Sequence, residues 1–148
     1  MTFYYLKLCN EYYGTSEWCE LFNLNNGTID VVLCNYGCTI VSINVPGKGG
    51  EKKNVVASFS NREHYKKDHP YFGSTVGRYA KRIAYGKFTI DENEYQLATN
   101  NSLNHLHGGV NGFHRQLWKA HQNKNEITFS YLSKDGEEGY PGNLHVSV

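Results

Sequence analysis

Short apolar runs separated by turn-forming residues fill most of this chain, and they predict strands. Residues 20–24 and 28–35 flank Asn25-Asn26-Gly27. Asn and Gly tolerate positive φ, so a hairpin is predicted there. Residues 38–45 are rich in β-branched side chains and stop at Pro46-Gly47, which suits a buried strand. Residues 53–59 form another short apolar run. A polar stretch, 60–70, follows, and Ser60 with Glu63 predicts a capping box on one helical turn. Residues 86–90 and 94–97 flank Asp91-Glu92-Asn93, a second hairpin. Residues 100–112 read as a loop rich in Asn, Gly and His. Residues 117–122 and 126–132 flank Asn123-Lys124-Asn125, a third hairpin. Within it Ile127, Phe129 and Tyr131 alternate with Thr128, Ser130 and Leu132, the period of a sheet with one face buried. Residues 143–148 read as a strand with Leu144, Val146 and Val148 on one face. The sequence stops on an apolar residue inside that pattern, so the polypeptide is expected to continue in its native context. No segment shows three turns of 3.6-residue periodicity. The fold class is all-β, a sandwich or barrel.

Composition narrows the function. At 148 residues the chain has the size of one domain. Aromatics reach 14%, which disfavours disorder. Fifteen Lys+Arg against 14 Asp+Glu leave no bulk attraction for nucleic acid or anionic lipid. No run approaches the roughly 18 apolar residues of a membrane span. Residues 1–8 lack a basic-then-apolar signal pattern. Cys9, Cys19, Cys34 and Cys38 show no C-x-x-C spacing, so reduced thiols and a cytoplasmic setting are expected. Asn26-Gly27-Thr28 and Asn100-Asn101-Ser102 fit the glycosylation triplet but read more simply as turn residues.

Two loops carry candidate chemistry. The first, residues 73–86, holds Arg78, Lys81 and Arg82. It is either a solvated basic turn or a clamp for anions or hydroxyls, since Arg offers planar, fixed donors. The second, residues 100–114, holds Asn104, His105, His107 and His114. In a strand, His105 and His107 would share a face and could ligate a metal, although no third ligand is evident. The loop is otherwise an Asn/Gly turn, or a polar sugar site in which His and Asn each supply a donor and an acceptor.

These residues resemble a known family. Gly77-Arg78-Tyr79-Ala80-Lys81-Arg82-Ile83-Ala84-Tyr85-Gly86-Lys87-Phe88 is similar to the "GR-x-A-N-R-I-A-x-G-x-F" segment of aldose 1-epimerases, the galactose mutarotases. Asn104-His105-Leu106-His107-Gly108-Gly109 resembles their "N-x-L-H-G-G", followed by Gly112-Phe113 and Leu117-Trp118 at the expected spacing. Residues 135–142 match "DGEEGYPG" without a change. Asn35-Tyr36-Gly37-Cys38-Thr39-Ile40 resembles "N-Y-G-A-x-I", and Lys53-Asn54-Val55-Val56 resembles "x-N-V-V". The resemblance runs in one collinear order from about Leu21 to the last residue.

The resemblance implies a β-supersandwich that interconverts the α and β anomers of hexoses such as galactose and glucose, without a metal or organic cofactor. A carboxylate takes the proton of the anomeric hydroxyl while an imidazole protonates the ring oxygen. The ring opens, the C1–C2 bond rotates, and the hydroxyl attacks the other face. By position, Arg82 and His107 match sugar-binding residues, and Lys81 stands where the family has Asn. A donor-only cation there replaces a donor–acceptor amide. The family's acid His lies in a "T-N-H-x-Y-F-N" segment, and this sequence has none. The catalytic Glu and a substrate-binding Asp belong further downstream still. Glu137 and Glu138 belong to a different motif. Residues 1–148 therefore correspond to the N-terminal part of one epimerase domain that carries binding residues without the acid–base pair. An alternative is a non-catalytic sugar-binding protein of the same fold. A third reading is a metal-dependent β-barrel using His105 and His107. A hexose-6-phosphate branch is a narrower rival, which the "DGEEGYPG" stretch disfavours.

Overall fold

The computed structural model describes residues 18–67 and 70–148. Cys9 and residues 1–8 lie outside the described residues. Eleven strands and four short 3₁₀ turns make up the described part, with no α-helix among the described residues. Strands β1 (Leu21–Asn25), β2 (Asp30–Cys34), β3 (Thr39–Pro46) and β4 (Lys52–Asn54) form one antiparallel sheet in sequence order. Strands β5 (Arg82–Ile83) and β8 (His105–Leu106) make a two-stranded ribbon. Strands β6 (Lys87–Ile90) and β7 (Asn93–Gln96) make another. Strands β9 (Lys119–Gln122), β10 (Ile127–Ser133) and β11 (Leu144–Ser147) form the last sheet, with β10 central.

The three predicted hairpins are present, and each turn has a local cause. After β1, the Asn26 side-chain oxygen accepts from the Thr28 and Ile29 amides at 3.0 and 2.7 Å. That Asx turn uses up the start of the predicted 28–35 strand, so β2 begins at Asp30. Ile90 pairs with Asn93, so the second hairpin turns on Asp91-Glu92 alone, both at positive φ (47° and 66°).

Two expectations need correction. The apolar run 53–59 is not a strand; pairing stops at β4, whose three residues are exposed. The cause is Asn54, whose side-chain oxygen accepts from the Ile43 and Val56 amides, both at 3.1 Å, and curls the chain off the edge. The helical turn after it, Arg62–Lys66, is capped by Asn61 and not by Ser60. Asn61 is extended, and its carboxamide accepts from Glu63 N at 2.9 Å.

The first sheet buries both faces. On one side Cys19, Leu21, Val32, Cys34 and Val41 form a cluster with Trp18 and Tyr36 against it. On the other, Phe22 and Leu33 meet the second sheet through Phe129, Trp118, Phe113 and Val146. Phe22 and Phe129 pack edge to face at 5.5 Å between centroids. Backbone bonds stitch the layers where β2 leaves: Gly37 N donates to Gln116 O (2.8 Å) and Trp118 N to Asn35 O (2.9 Å). The alternation in β10 works as read, with Phe129 buried between exposed Thr128 and half-buried Ser130. In β11 the apolar face is only partly covered: Val146 packs on the core, while Leu144 is 41% and Val148 57% exposed.

A buried polar pair joins the ribbon β5–β8 to the segment before β11. His105 is fully buried. Its Nδ1 lies 2.8 Å from Ala98 O, which can only accept, so Nδ1 carries the hydrogen. Nε2 then accepts from the Tyr140 hydroxyl at 2.7 Å. Burial pushes the Tyr140 hydroxyl up to about 12. The folded state thus holds its proton more tightly than an unfolded chain, where tyrosine titrates near ~10. The associated stability is present below about pH 10 and is lost as pH rises toward 12. Tyr140→Phe is expected to lower stability at pH 8 by about 1–3 kcal/mol, because Nε2 loses its buried partner. The variant should also lose less stability than the parent between pH 9 and 11 in urea titrations. Some alkaline loss persists, because burial also raises Tyr131 and Tyr36.

Candidate functional site: the β5–β8 ribbon and its glycine loops

The loop 100–112, read as irregular, contains β8. Arg82 pairs with Leu106 and Ile83 with His105. Two residue pairs are too few to hold a ribbon alone. Asn100 supplies the rest: its side chain accepts from Leu106 N (2.7 Å) and donates to Leu106 O (2.9 Å) and Gly109 O (3.0 Å). The Asn100-Asn101-Ser102 triplet is therefore a turn device, as read from the sequence. Asn101 and Asn104 form an isolated bridge beside it.

Arg82 is exposed, and its Nε donates to Asn101 Oδ1 at 2.8 Å. That bond orients the guanidinium and leaves its two terminal nitrogens for a ligand. Lys81 is exposed one position earlier. The pairing ends at Arg82–Leu106 and does not extend to Lys81. His107 has left the strand, at φ 52°. Its ring packs edge-on against Tyr71 at 4.7 Å, and Tyr71 contacts His114 at the same distance. His107 Nδ1 is buried without a hydrogen-bond partner. A polar atom buried this way carries an uncompensated desolvation cost, which a hydrogen-bond partner that reached it would offset.

The shared-face geometry proposed for His105 and His107 is not formed. The strand ends at Leu106, His107 turns to positive φ, and both nitrogens of His105 are engaged inside the core. Among the described residues no three His, Cys, Asp or Glu side chains stand close enough to hold a metal ion.

Arg78 is neither a solvated turn residue nor a ligand clamp. It donates to Ser133 Oγ (2.8 Å), Pro141 O (2.9 Å), Ser133 O (3.2 Å) and Lys134 O (2.8 Å). It therefore staples the 133–141 segment to the loop before β5. Both glutamates of that segment are also structural. Glu137 accepts from the hydroxyls of Tyr131 and Ser133. Glu138 accepts from Val110 N (2.8 Å) and Asn111 N (2.9 Å) and so fixes the loop that follows His107.

Glycines allow these loops to touch. Gly108 lies at φ 84°, and a Cβ there would fall 1.5 Å from Gly77 O. A Cβ on Gly109 would strike the Glu138 carboxylate at 2.0 Å, and one on Gly77 would enter the Phe113 ring at 2.4 Å. Sequence reasoning missed Tyr71, and it read Asn100 and Asn101 as turn residues without their bonds to Leu106 and Arg82. None belongs to a periodic pattern, and each acts through a partner that the ribbon brings close.

An all-β sandwich with a cation-bearing polar ribbon, locked by glycine contacts and two half-buried carboxylate anchors, defines the class of protein. The aldose 1-epimerase family model matches residues 20–148, and the chain belongs to that family. It is 48% identical over 129 residues to galactose mutarotase of Sus scrofa, covering 87% of this chain and 38% of that protein. Against aldose 1-epimerase of Escherichia coli K12 it is 34% identical over 125 residues, covering 84% and 36%. Among solved structures, the GalM/aldose epimerase homologue from C. elegans superposes with a TM-score of 0.83 at 27% identity, covering 88% of this chain and 41% of that one. Galactose 1-epimerase from Lactobacillus acidophilus gives 0.74 at 28% identity, covering 91% and 41%. The chain thus spans about two fifths of the length of these relatives. Among the described residues no helix is long and apolar enough to cross a membrane.

Proposed function

We propose that residues 1–148 form the N-terminal part of a single aldose 1-epimerase domain and carry part of its sugar-binding surface. The substrate is a small-molecule hexose such as galactose or glucose, whose α and β anomers the whole enzyme interconverts. The observation that supports this best is the β5–β8 pairing. It pairs Arg82, held by Asn101, with Leu106, so that His107 with its unpartnered Nδ1 follows directly after the ribbon and Lys81 directly precedes it. Arg82 and Lys81 would donate to sugar oxygens, and His107 would bond a hydroxyl or the ring oxygen and position the ring. Relatives named galactose mutarotase support the choice of sugar.

The isolated chain is expected to bind and not to turn over. Ring opening needs a base at the anomeric hydroxyl and an acid at the ring oxygen, both within hydrogen-bond reach. Glu137 and Glu138, the two glutamates of the matched 135–142 segment, already accept two bonds each within the loops. An incomplete sandwich with an exposed Leu144 and Val148 is also expected to be poorly stable. The free thiols of Cys19, Cys34 and Cys38 support a cytoplasmic setting.

Arg82→Ala should weaken galactose binding about 10- to 100-fold, the span for losing hydrogen bonds to a charged group. Saturation-transfer NMR and calorimetry on the chain would read this. Unchanged affinity in both Arg82→Ala and His107→Ala would remove the ribbon from the sugar site.

A further inference from the structure

Asn26-Gly27 and Asn111-Gly112 are the two Asn-Gly sequences of the chain. Asparagine is thermally labile, and a following glycine has no Cβ to shield the amide nitrogen that can attack the carboxamide. The fold treats the two sites differently. Asn26, Gly27 and Thr28 are exposed at the tip of the first hairpin, away from the β5–β8 ribbon. Gly27 lies at φ 91°, with nothing within 4 Å of where a Cβ would sit. Asn26 Oδ1 accepts from Thr28 N at 3.0 Å and from Ile29 N at 2.7 Å. Negative charge develops on that oxygen when a nucleophile adds to Cγ, and two amides at such distances stabilise it as an oxyanion hole does. Gly27 N, the nucleophile, donates to Asn25 Oδ1 at 2.6 Å, a surface bond that water can open.

Asn111 is tied down on both sides. Its N donates to Glu138 Oε1 at 2.9 Å, and its O accepts from Gln116 Nε2 at 2.5 Å. Gly112 is buried, and a Cβ on it would lie 2.8 Å from Gly77 O and 2.9 Å from Gly108 O. Its nitrogen cannot swing toward the Asn111 side chain without parting the glycine loops.

We propose that Asn26 deamidates spontaneously, assisted by the Thr28 and Ile29 amides, and that the fold spares Asn111. Gly27 N gives its proton to hydroxide and bonds to Asn26 Cγ. The Cγ–Nδ2 bond breaks, and ammonia leaves with a proton taken from water. Water then opens the five-membered imide at either carbonyl, giving aspartate or isoaspartate. No atom changes oxidation state. The new carboxylate takes the formal net charge from +1 to 0. Isoaspartate also lengthens the main chain between the paired Asn25 and Asp30 by one methylene.

The test incubates the 148-residue chain at mildly alkaline pH, folded or in guanidinium chloride, and locates the products by peptide mapping. The folded chain should convert Asn26 at least about tenfold faster than Asn111. Unfolding should slow Asn26, which loses its two donors, and speed Asn111, so that the two rates converge. Asn26→Asp should remove the fast conversion and leave the slow one. Comparable rates at the two sites in the folded chain, or a faster reaction at Asn26 after unfolding, would overturn the proposal.

Discussion

Gly108→Ala is expected to abolish the native fold, at a cost above about 4 kcal/mol, which would consume most of the stability of a domain of this size. Two effects add at this position. The backbone sits at φ 84°, where an L side chain is strained. The new Cβ would also lie 1.5 Å from Gly77 O, a backbone atom that cannot swing aside. Relief requires the 105–109 segment to part from the loop before β5, and that separation dismantles the ribbon. Gly136→Ala separates the two effects. It has nearly the same φ, 80°, but nothing within 4 Å of its Cβ. It should cost only about 1 kcal/mol of conformational strain. Urea midpoints and soluble yield of the two variants decide the matter. Similar losses in both would mean that the Gly108–Gly77 contact is not tight.

Arg78→Ala is expected to cost about 3 kcal/mol, since the acceptors left behind are partly or wholly shielded from water. Ser133 is the centre of this network. It is fully buried, its hydroxyl accepts from Arg78 Nε, and it donates in turn to Glu137. Without the guanidinium, three backbone carbonyls, those of Ser133, Lys134 and Pro141, lose their donor together. The 133–141 turn should then loosen, and Glu138 with it, so the loop after His107 loses its anchor. Arg78→Lys should recover only part of the loss, because one ammonium cannot reproduce the planar fork. Hydrogen exchange at Val110 and Asn111, whose amides Glu138 accepts from, would show the release directly. Unaltered protection there in Arg78→Ala would contradict the coupling.

The hairpins were legible because their causes are local. Asn26 makes its own turn, and the alternation of Ile127, Phe129 and Tyr131 records one buried face. The ribbon was not legible as a strand pair. It has two residues on each side, no periodicity, and an Asn side chain in place of further ladder bonds. Its residues could be picked out only as chemistry-bearing types and through family motifs. Arg78 was misread for a related reason: a charged residue in a glycine-rich loop looks solvated until the segment 55 positions later folds over it. His105 likewise reads as a ligand in sequence, and only the fold shows both of its nitrogens in use. Glycine positions carried more information than their number suggests, since Gly77, Gly108 and Gly109 each mark a contact with a distant segment.

The most direct measurement follows the optical rotation of freshly dissolved α-D-galactose with and without the 148-residue chain, alongside galactose binding by the same preparation. Binding with a mutarotation rate equal to that of buffer is the predicted result, with Arg82 and His107 acting as binding residues only. An acceleration that disappears in His107→Ala would contradict it. The acid and base would then have to be sought among His105, His114, Glu137 and Glu138, within the chain itself.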